Sequence, residues 1–412
     1  MPDSSVLIIG GGVAGLSAAL ELARFDVESD VLDSAPFAGG HAISFSCKAT
    51  DECVRCGACL AEDRLHEAVA TPGIRILPSS RIQSVVRSNG GFNAAVRCGP
   101  QFVDPNRCTG CGACLEACPV KGAVQRGPSP FNRPPYAIDP DRCLRTSGED
   151  CRLCMEACPE SAVSFDPTDS ELTLTPDAVI LATGFQAFDP RDKPYGYGDI
   201  EDVITNLDLE RMLRTEGRLI RPSNGHAPRS IAFVQCVGSR DDRLGHLWCS
   251  RVCCGSALRM ARRLRHQDPD LEVSVFYIDI QTFGRDFGAN GVQWRDGVRF
   301  VRALPADAIP TEGGLVRVTY FDPGKEAVAD LDVDMLVLSV GITPGEDLVK
   351  TAALFGLQPG PDGFLKAPSP PESVPVPGVS AAGTAMGPMS ITDAIKSATA
   401  AAWRTLQHLG RV

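Results

Sequence analysis

Residues Cys108 to Pro119 read CTGCGACLEACP, and the spacing C-x2-C-x2-C-x3-C-P constrains this chain more than any other feature. It is the bacterial ferredoxin run for [4Fe-4S] ligation. A second run, CLRTSGEDCRLCMEACP, supplies Cys143, Cys151, Cys154 and Cys158 before Pro159. CLEACPVKGAV against CMEACPESAV marks the two as an internal repeat. In such pairs three cysteines of one run share a cluster with the last cysteine of the other. One cluster is therefore assigned to Cys108, Cys111, Cys114 and Cys158, and a second to Cys118, Cys143, Cys151 and Cys154. The seven residues between Cys143 and Cys151 replace the usual two. Zinc is the alternative, but its sites commonly use two C-x2-C pairs held apart by a spacer.

Seventeen cysteines in 412 residues exceed ordinary usage. A disulfide framework needs an oxidising compartment, and the start, MPDSS, has no basic leader. The expectation is a cytoplasmic protein whose cysteines hold metal. A net charge of -11 argues against nucleic acid as partner. The sequence contains no uninterrupted apolar run of about 18 residues, so no membrane insertion by this chain is expected, although a membrane-bound partner is compatible.

The N-terminal stretch SVLIIGGGVAGLSAALELARFDVESDVLD reads as strand, turn, helix and strand. Gly10, Gly12 and Gly15 fill G-x-G-x-x-G: tight turn, close backbone approach to a pyrophosphate, and helix-on-strand packing. Asp33 closes the second strand, where an acid accepts hydrogen bonds from a ribose. The alternative is a merely structural turn. Three further stretches specify FAD. Gly39 and Gly40 follow the second strand; AVILATGF carries Thr183 and Gly184; GVSAAGTAMGP carries Gly383 and Thr384. Thr384 stands where many flavoproteins have Asp. The flavin domain is thus expected from both chain ends, with other material inserted.

Two more cysteine groups remain. CKATDECVRCGAC supplies Cys47, Cys53, Cys56 and Cys59, close after Gly40. Its C-x2-C-x2-C core suggests a third cubane, with Cys47, Cys98 or a partner's residue as fourth ligand; a redox dithiol is the other reading. Ile231 to Val234 reads as the buried strand that opens a second nucleotide-binding domain, yet FVQCVGSRDD then fails the phosphate-binding fingerprint. Cys236, Cys249, Cys253 and Cys254 follow in its place. The expectation is an iron–sulfur site where a nicotinamide site would be, delivering electrons to the flavin singly. An active dithiol of Cys249 with Cys253 or Cys254 is the rival. Four clusters would use sixteen cysteines and leave Cys98.

FVQCVGSRD followed by CSRVCC resembles the A subunit of heterodisulfide reductase and its relatives. These include a flavoprotein subunit of the quinone-interacting membrane-bound oxidoreductase and an electron-transfer subunit of benzoyl-CoA reductase complexes. The resemblance covers nearly the whole chain. It implies FAD, about four [4Fe-4S] clusters, and partners that are other subunits of an electron-transfer complex. It leaves open whether the flavin bifurcates electrons, and no catalytic side chain is assigned.

The expected fold class is α/β: a two-domain, flavin disulfide reductase-like chain with a Rossmann-type FAD domain, a second nucleotide-binding-like domain and an inserted two-cluster ferredoxin-like unit. The segments are 1–95 for the first part of the FAD domain, 96–170 for the insertion, and 171–225 for the return and connector. Residues 226–345 form the second domain and 346–412 the last part of the FAD domain. Proline-rich APSPPESVPVPG, 367–378, reads as the extended link back. His41 beside the glycine pair is placed to touch the flavin but is read as backbone-adjacent filler, His246 is read as an exposed loop residue, and basic ARRLRH, 261–266, is read as a solvated helix face, with docking of an acidic partner as the alternative. A stand-alone flavin-dependent dithiol/disulfide reductase and a non-catalytic scaffold are the competing functions.

Overall fold

The computed structural model describes residues 4–88, 90–281, 283, 297–366 and 376–412. Residues 367–375 of the proline-rich link lie outside them. Every apolar position of SVLII is used because Ser5–Ile9 is the central strand of a parallel sheet covered on both faces. Val6, Leu7 and Ile8 are buried. The sheet order is Val379–Ala381, Ala178–Leu181, Ser5–Ile9, Glu28–Leu32, Ile74–Leu77. Strands from the beginning, middle and end of the chain therefore build one domain. The helix Val13–Ala23 packs on the last helix, Ile391–His408, through Ala18, Ala19, Ala394, Ala398 and Ala401. Such small side chains allow close axes. Ser390 caps the last helix, its hydroxyl accepting from the Asp393 amide at 3.1 Å.

The second domain repeats the plan. Its parallel sheet runs Val203–Thr205, Met335–Val340, Ser230–Val237, Glu272–Phe276, Val298–Val301. One face packs under the helix Cys253–Gln267 and the helix Asn206–Thr215. The other packs against the antiparallel strands Pro305–Pro310, Val316–Asp322 and Ala327–Val333. Burying a side chain such as Phe233 or Phe276 here stabilises the fold by roughly 1.5–3 kcal/mol. The chain leaves the first domain through the strand Gly91–Cys98 and returns along Ser170–Leu174. These pair antiparallel, Cys98 opposite Ser170, and close the neck of the insertion.

A buried polar junction ties the two domains. Lys48 and Glu210 form an ion pair at 2.6 Å with both side chains nearly inaccessible. Glu210 also accepts from the Ser46 amide at 3.0 Å, the Ser46 hydroxyl at 2.9 Å and the Ser256 hydroxyl at 3.3 Å. Beside it, Arg214 donates to the Phe45 carbonyl, to Glu62 and to the Pro128 carbonyl. One guanidinium thus joins the second domain, the cysteine-bearing loop and the insertion. Removing one member of a buried pair strands the other charge and costs about 3–5 kcal/mol, whereas apolar replacement of both is often nearly neutral. Glu210→Ala should lower the urea midpoint accordingly, and the double change Lys48→Met with Glu210→Leu should regain most of it. A Glu210→Ala chain as stable as its parent would contradict this account.

Candidate cofactor cleft and cysteine sites

The three fingerprint glycines have separate physical reasons. Gly10 holds φ +114°, and a Cβ there would lie 2.1 Å from the Ala182 carbonyl oxygen. A Cβ on Gly15 would lie 1.9 Å from the Gly10 carbonyl oxygen, so this residue sets how closely the helix approaches its strand. A Cβ on Gly12 would meet only the Gly40 Cα, at 3.8 Å. No contact within the protein demands glycine at 12; room for a ligand does. Gly12 is also the N-cap of Val13–Ala23, with no side chain capping that helix. Its free amides and positive end of the dipole suit a pyrophosphate.

Asp33 follows the second strand. Its carboxylate accepts from the Gly11 amide at 3.0 Å and the Ala35 amide at 2.9 Å. Burial nevertheless pushes its pKa up to about 6. Gly39 bridges to Gly12, its amide donating to the Gly11 carbonyl at 2.7 Å. Gly40 brings its backbone against Gly12. Gly383 presses on Ala14, where a Cβ would stand 2.7 Å from the alanine methyl. Gly10, Gly12, Asp33, Gly39, Gly40, Thr183, Gly184 and Thr384 all line one cleft of about 2700 Å³, while Gly15 and Gly383 support it from behind. The Thr183 hydroxyl is buried and lacks a protein partner. An orphaned hydroxyl, an open glycine turn and a ribose-facing carboxylate fit FAD.

Sequence reasoning missed part of this lining. His41 stands in the cleft, its Nε2 3.1 Å from the Phe185 carbonyl and its ring against that phenyl. Partial loss of solvation inside the cleft lowers its pKa. The insertion also reaches in: Asn132 donates to the Ala38 carbonyl at 2.9 Å and, with Pro128 and Arg133, lines the cleft. The glycine pair beside His41 was a usable signal. Nothing local marked Asn132.

The cysteines gather in sets. The Cys114 thiol is pushed up to about 11 by burial, then by Cys108 and Cys158 beside it. The Cys154 thiol is raised by burial, then by Cys143, Cys118 and Cys151. Each run thus meets the last cysteine of the other. Gly112, at φ +91°, starts the short turn that turns Cys114 inward. The seven-residue stretch after Cys143 folds outward: the Thr146 hydroxyl and the Ser147 amide both return to the Cys143 carbonyl. Cys143 therefore stays buried beside Cys154 in an apolar shell that includes Tyr136, Ile138 and Val163. Cys108 and Gly110 also line the flavin cleft.

In the N-terminal run the Cys59 thiol is raised by burial, then by Asp63, Cys56 and Cys53. Cys56 faces the cleft. Cys47 is exposed, and its carbonyl accepts from Arg263 at 2.7 Å. Cys98 ends a strand at the neck of the insertion, opposite Ser80 and Ser170.

The fourth set sits where a second phosphate loop would be. The strand Ser230–Val237 bulges between Val234 and Val237, and Cys236 takes a left-handed φ of +62°. Bulges re-aim side chains at strand ends. Burial first, then Cys254, pushes the Cys236 thiol up to about 12. Cys253 is raised by burial and by Cys254, Cys236 and Cys249. The former phosphate turn is filled: a Cβ on Gly238 would strike the Phe188 ring at 2.0 Å, and His246 Nδ1 lies 2.9 Å from the Gly238 carbonyl. Arg240 pairs with Asp279 beyond the next strand.

None of the seventeen cysteines forms a disulfide. Among the described residues no three His, Cys, Asp or Glu side chains converge closely enough for a single ion. A cubane spreads its four thiolates wider than the ~2.3 Å bonds of a zinc ion allow. The two interleaved sets of the insertion fit [4Fe-4S] clusters.

Comparison with known proteins follows the same division. Residues 107–162 match the 4Fe-4S dicluster domain model, and residues 8–87 the NAD(P)-binding Rossmann-like domain model. The chain is 34% identical over 98% of its length to the A subunit of the H(2):CoB-CoM heterodisulfide,ferredoxin reductase of Methanothermobacter thermautotrophicus, covering 63% of that protein. It is 35% identical over 97% of its length to the iron-sulfur A subunit of the CoB–CoM heterodisulfide reductase of Methanocaldococcus jannaschii, again covering 63%. The chain thus spans under two thirds of these relatives. Thioredoxin reductase of T. acidophilum shares the fold, with a TM-score of 0.56, 16% identity and 99% of each chain covered. That of Lactococcus lactis gives 0.55 at 12% identity, with both chains fully covered.

Two substitutions separate folding from binding. Gly12→Ala should fold like the parent yet bind FAD at least about tenfold more weakly, a loss of roughly 1.4 kcal/mol, whereas Gly15→Ala should lower thermal stability with or without FAD. Equal FAD affinity for Gly12→Ala and parent would contradict the pyrophosphate placement. Ribose hydroxyls favour the ionised Asp33, so FAD affinity should fall as pH drops through about 6. Asp33→Asn should flatten that dependence, and flavin fluorescence titration reads both.

Proposed function

The chain belongs to the family of heterodisulfide reductase A subunits, and from that premise we propose that it is an FAD- and [4Fe-4S]-containing electron-transfer component of a multi-subunit oxidoreductase complex. The relatives carry their names as subunits of heterodisulfide reductases; partner subunits and a cytoplasmic location are proposed here on that basis. Among the described residues no helix is long and apolar enough to cross a membrane. The reading rests above all on Cys236, which occupies the strand end where a second Rossmann unit would present its phosphate turn.

The residues divide the work. Gly10, Gly12, Gly39 and Gly40 bring backbone to the pyrophosphate, Asp33 accepts from the ribose, and Thr183, Gly184, Gly383 and Thr384 form the wall toward the flavin. Cys108, Cys111, Cys114 and Cys158 would hold one cluster, and Cys118, Cys143, Cys151 and Cys154 a second. Cys53, Cys56 and Cys59 would hold a third, with Cys47, Cys98 or a partner's residue completing it. Cys236, Cys249, Cys253 and Cys254 would hold a fourth. Bound FAD supplies a carrier that exchanges electrons in pairs or singly, whereas clusters exchange them singly. Cys56 and Cys108 both line the flavin cleft, so two of the proposed cluster sites would border one flavin site. Phe188, Arg240 and Asp279 close the second domain to a dinucleotide.

The runner-up, a stand-alone dithiol/disulfide reductase, finds support in the thioredoxin reductase fold. Cys253 and Cys254 are buried with thiol pKa values raised, the reverse of an activated thiol. Anaerobically purified chain should carry one FAD and about 16 iron atoms if all four sites are filled. Dithionite should bleach its visible spectrum, and stoichiometric NADH alone should leave it unchanged. Rapid reduction by NADH, or low iron with fast alkylation of Cys249, Cys253 and Cys254, would overturn the proposal.

A further inference from the structure

Gln235 and Ser339 are buried where nothing in the protein answers them. Both polar side-chain atoms of Gln235 and the Ser339 hydroxyl lack hydrogen-bond partners, and each residue is 1% exposed. Leaving a buried polar group unpaired is destabilising, and two such residues lie on neighbouring strands. Gln235 belongs to the strand Ser230–Val237 and Ser339 to its neighbour Met335–Val340. Val234 pairs with Leu338 and the bulge follows directly, so Gln235 and Ser339 are the first residues past the last regular pair, and alternation along each strand puts them on the face opposite that pair. That face carries Ile231, Phe233, Met335 and Val337, which pack under the helix Cys253–Gln267 through Ala257, Met260 and Ala261. Gln235 and Ser339 continue the face toward the strand ends, where the helix begins with Cys253 and Cys254. Gln235 also directly precedes Cys236. Two donors without protein acceptors thus lie on the inner side of a four-cysteine site.

We propose that Gln235 and Ser339 donate hydrogen bonds to the sulfur atoms of the cluster held by Cys236, Cys249, Cys253 and Cys254, and thereby raise its reduction potential. The inference rests on the reading of these four cysteines as ligands. Reduction adds negative charge to the cluster, so a donor stabilises the reduced form more than the oxidised one. An acceptor supplied by the cluster also offsets the cost of burying the Gln235 amide nitrogen and the Ser339 hydroxyl.

The test is a redox titration by EPR on the anaerobic holoprotein, following the signal that Cys249→Ser abolishes. Gln235→Met keeps the side-chain length and removes both polar atoms; Ser339→Ala removes only the hydroxyl. With iron content and line shape retained, each variant should shift the midpoint to more negative potential, and the double variant further than either. Should Gln235→Met fail to hold iron, Ser339→Ala decides alone. Unchanged midpoints with an intact signal would overturn the inference and leave buried water as the partner of both groups. A parent protein with no signal sensitive to Cys249→Ser would instead overturn the ligand assignment itself.

Discussion

Buried sulfur that faces buried sulfur is the constraint on which the rest of the molecule depends. A thiolate in a low-dielectric pocket is costly, and a second or third beside it is costlier. In this chain Cys114, Cys154, Cys236 and Cys253 each combine burial with cysteine neighbours that raise their pKa further. Apolar shells such as Phe102, Val124 and Tyr136 around the insertion give such charges no solvent. On the proposed ligation, iron would supply the positive charge that the side chains withhold. The insertion's small elements, two single-turn helices and a two-stranded ribbon, make little sense as a hydrophobic core without that centre.

On the proposed reading, little backbone change separates the second domain from a nucleotide-binding unit. Sheet order, parallel register and the following helix are all those of a Rossmann unit. The change is confined to the strand end. A bulge turns Cys236 out, Gly238 serves the Phe188 ring, and the helix starts with two cysteines where glycine would admit phosphate. In the first domain the same position keeps its glycines, and Gly12 has room that only a ligand uses. Two copies of one architecture thus sit side by side with different chemistry at the same topological point.

Much of this is legible in the sequence, because the relevant patterns are local. Glycine spacing, the apolar run of the first strand and the two-residue cysteine intervals each report a turn or loop of fixed geometry. The interleaving of the two ferredoxin runs follows from the repeat. Other features arise from contacts between distant residues and leave no local trace. Lys48 and Glu210 are separated by most of the first domain and the insertion, yet share one buried pair. Asn132 comes from the insertion to the edge of the flavin cleft. His41, read from the sequence as filler, lines that cleft because Phe185 fixes its ring. The bulge at Cys236 also escapes a pattern search, since the apolar run Ile231 to Val234 carries no sign of how the strand turns after it. The fourth partner of Cys53, Cys56 and Cys59 is undetermined by spacing alone.

The most direct measurement of the central claim is Mössbauer spectroscopy with iron quantitation on chain grown on iron-57 and purified without oxygen, comparing the parent with Cys253→Ala. The variant should keep its FAD and lose about four iron atoms as one cubane component. The same iron content and spectrum in both proteins, or zinc in place of iron at this site, would contradict the claim.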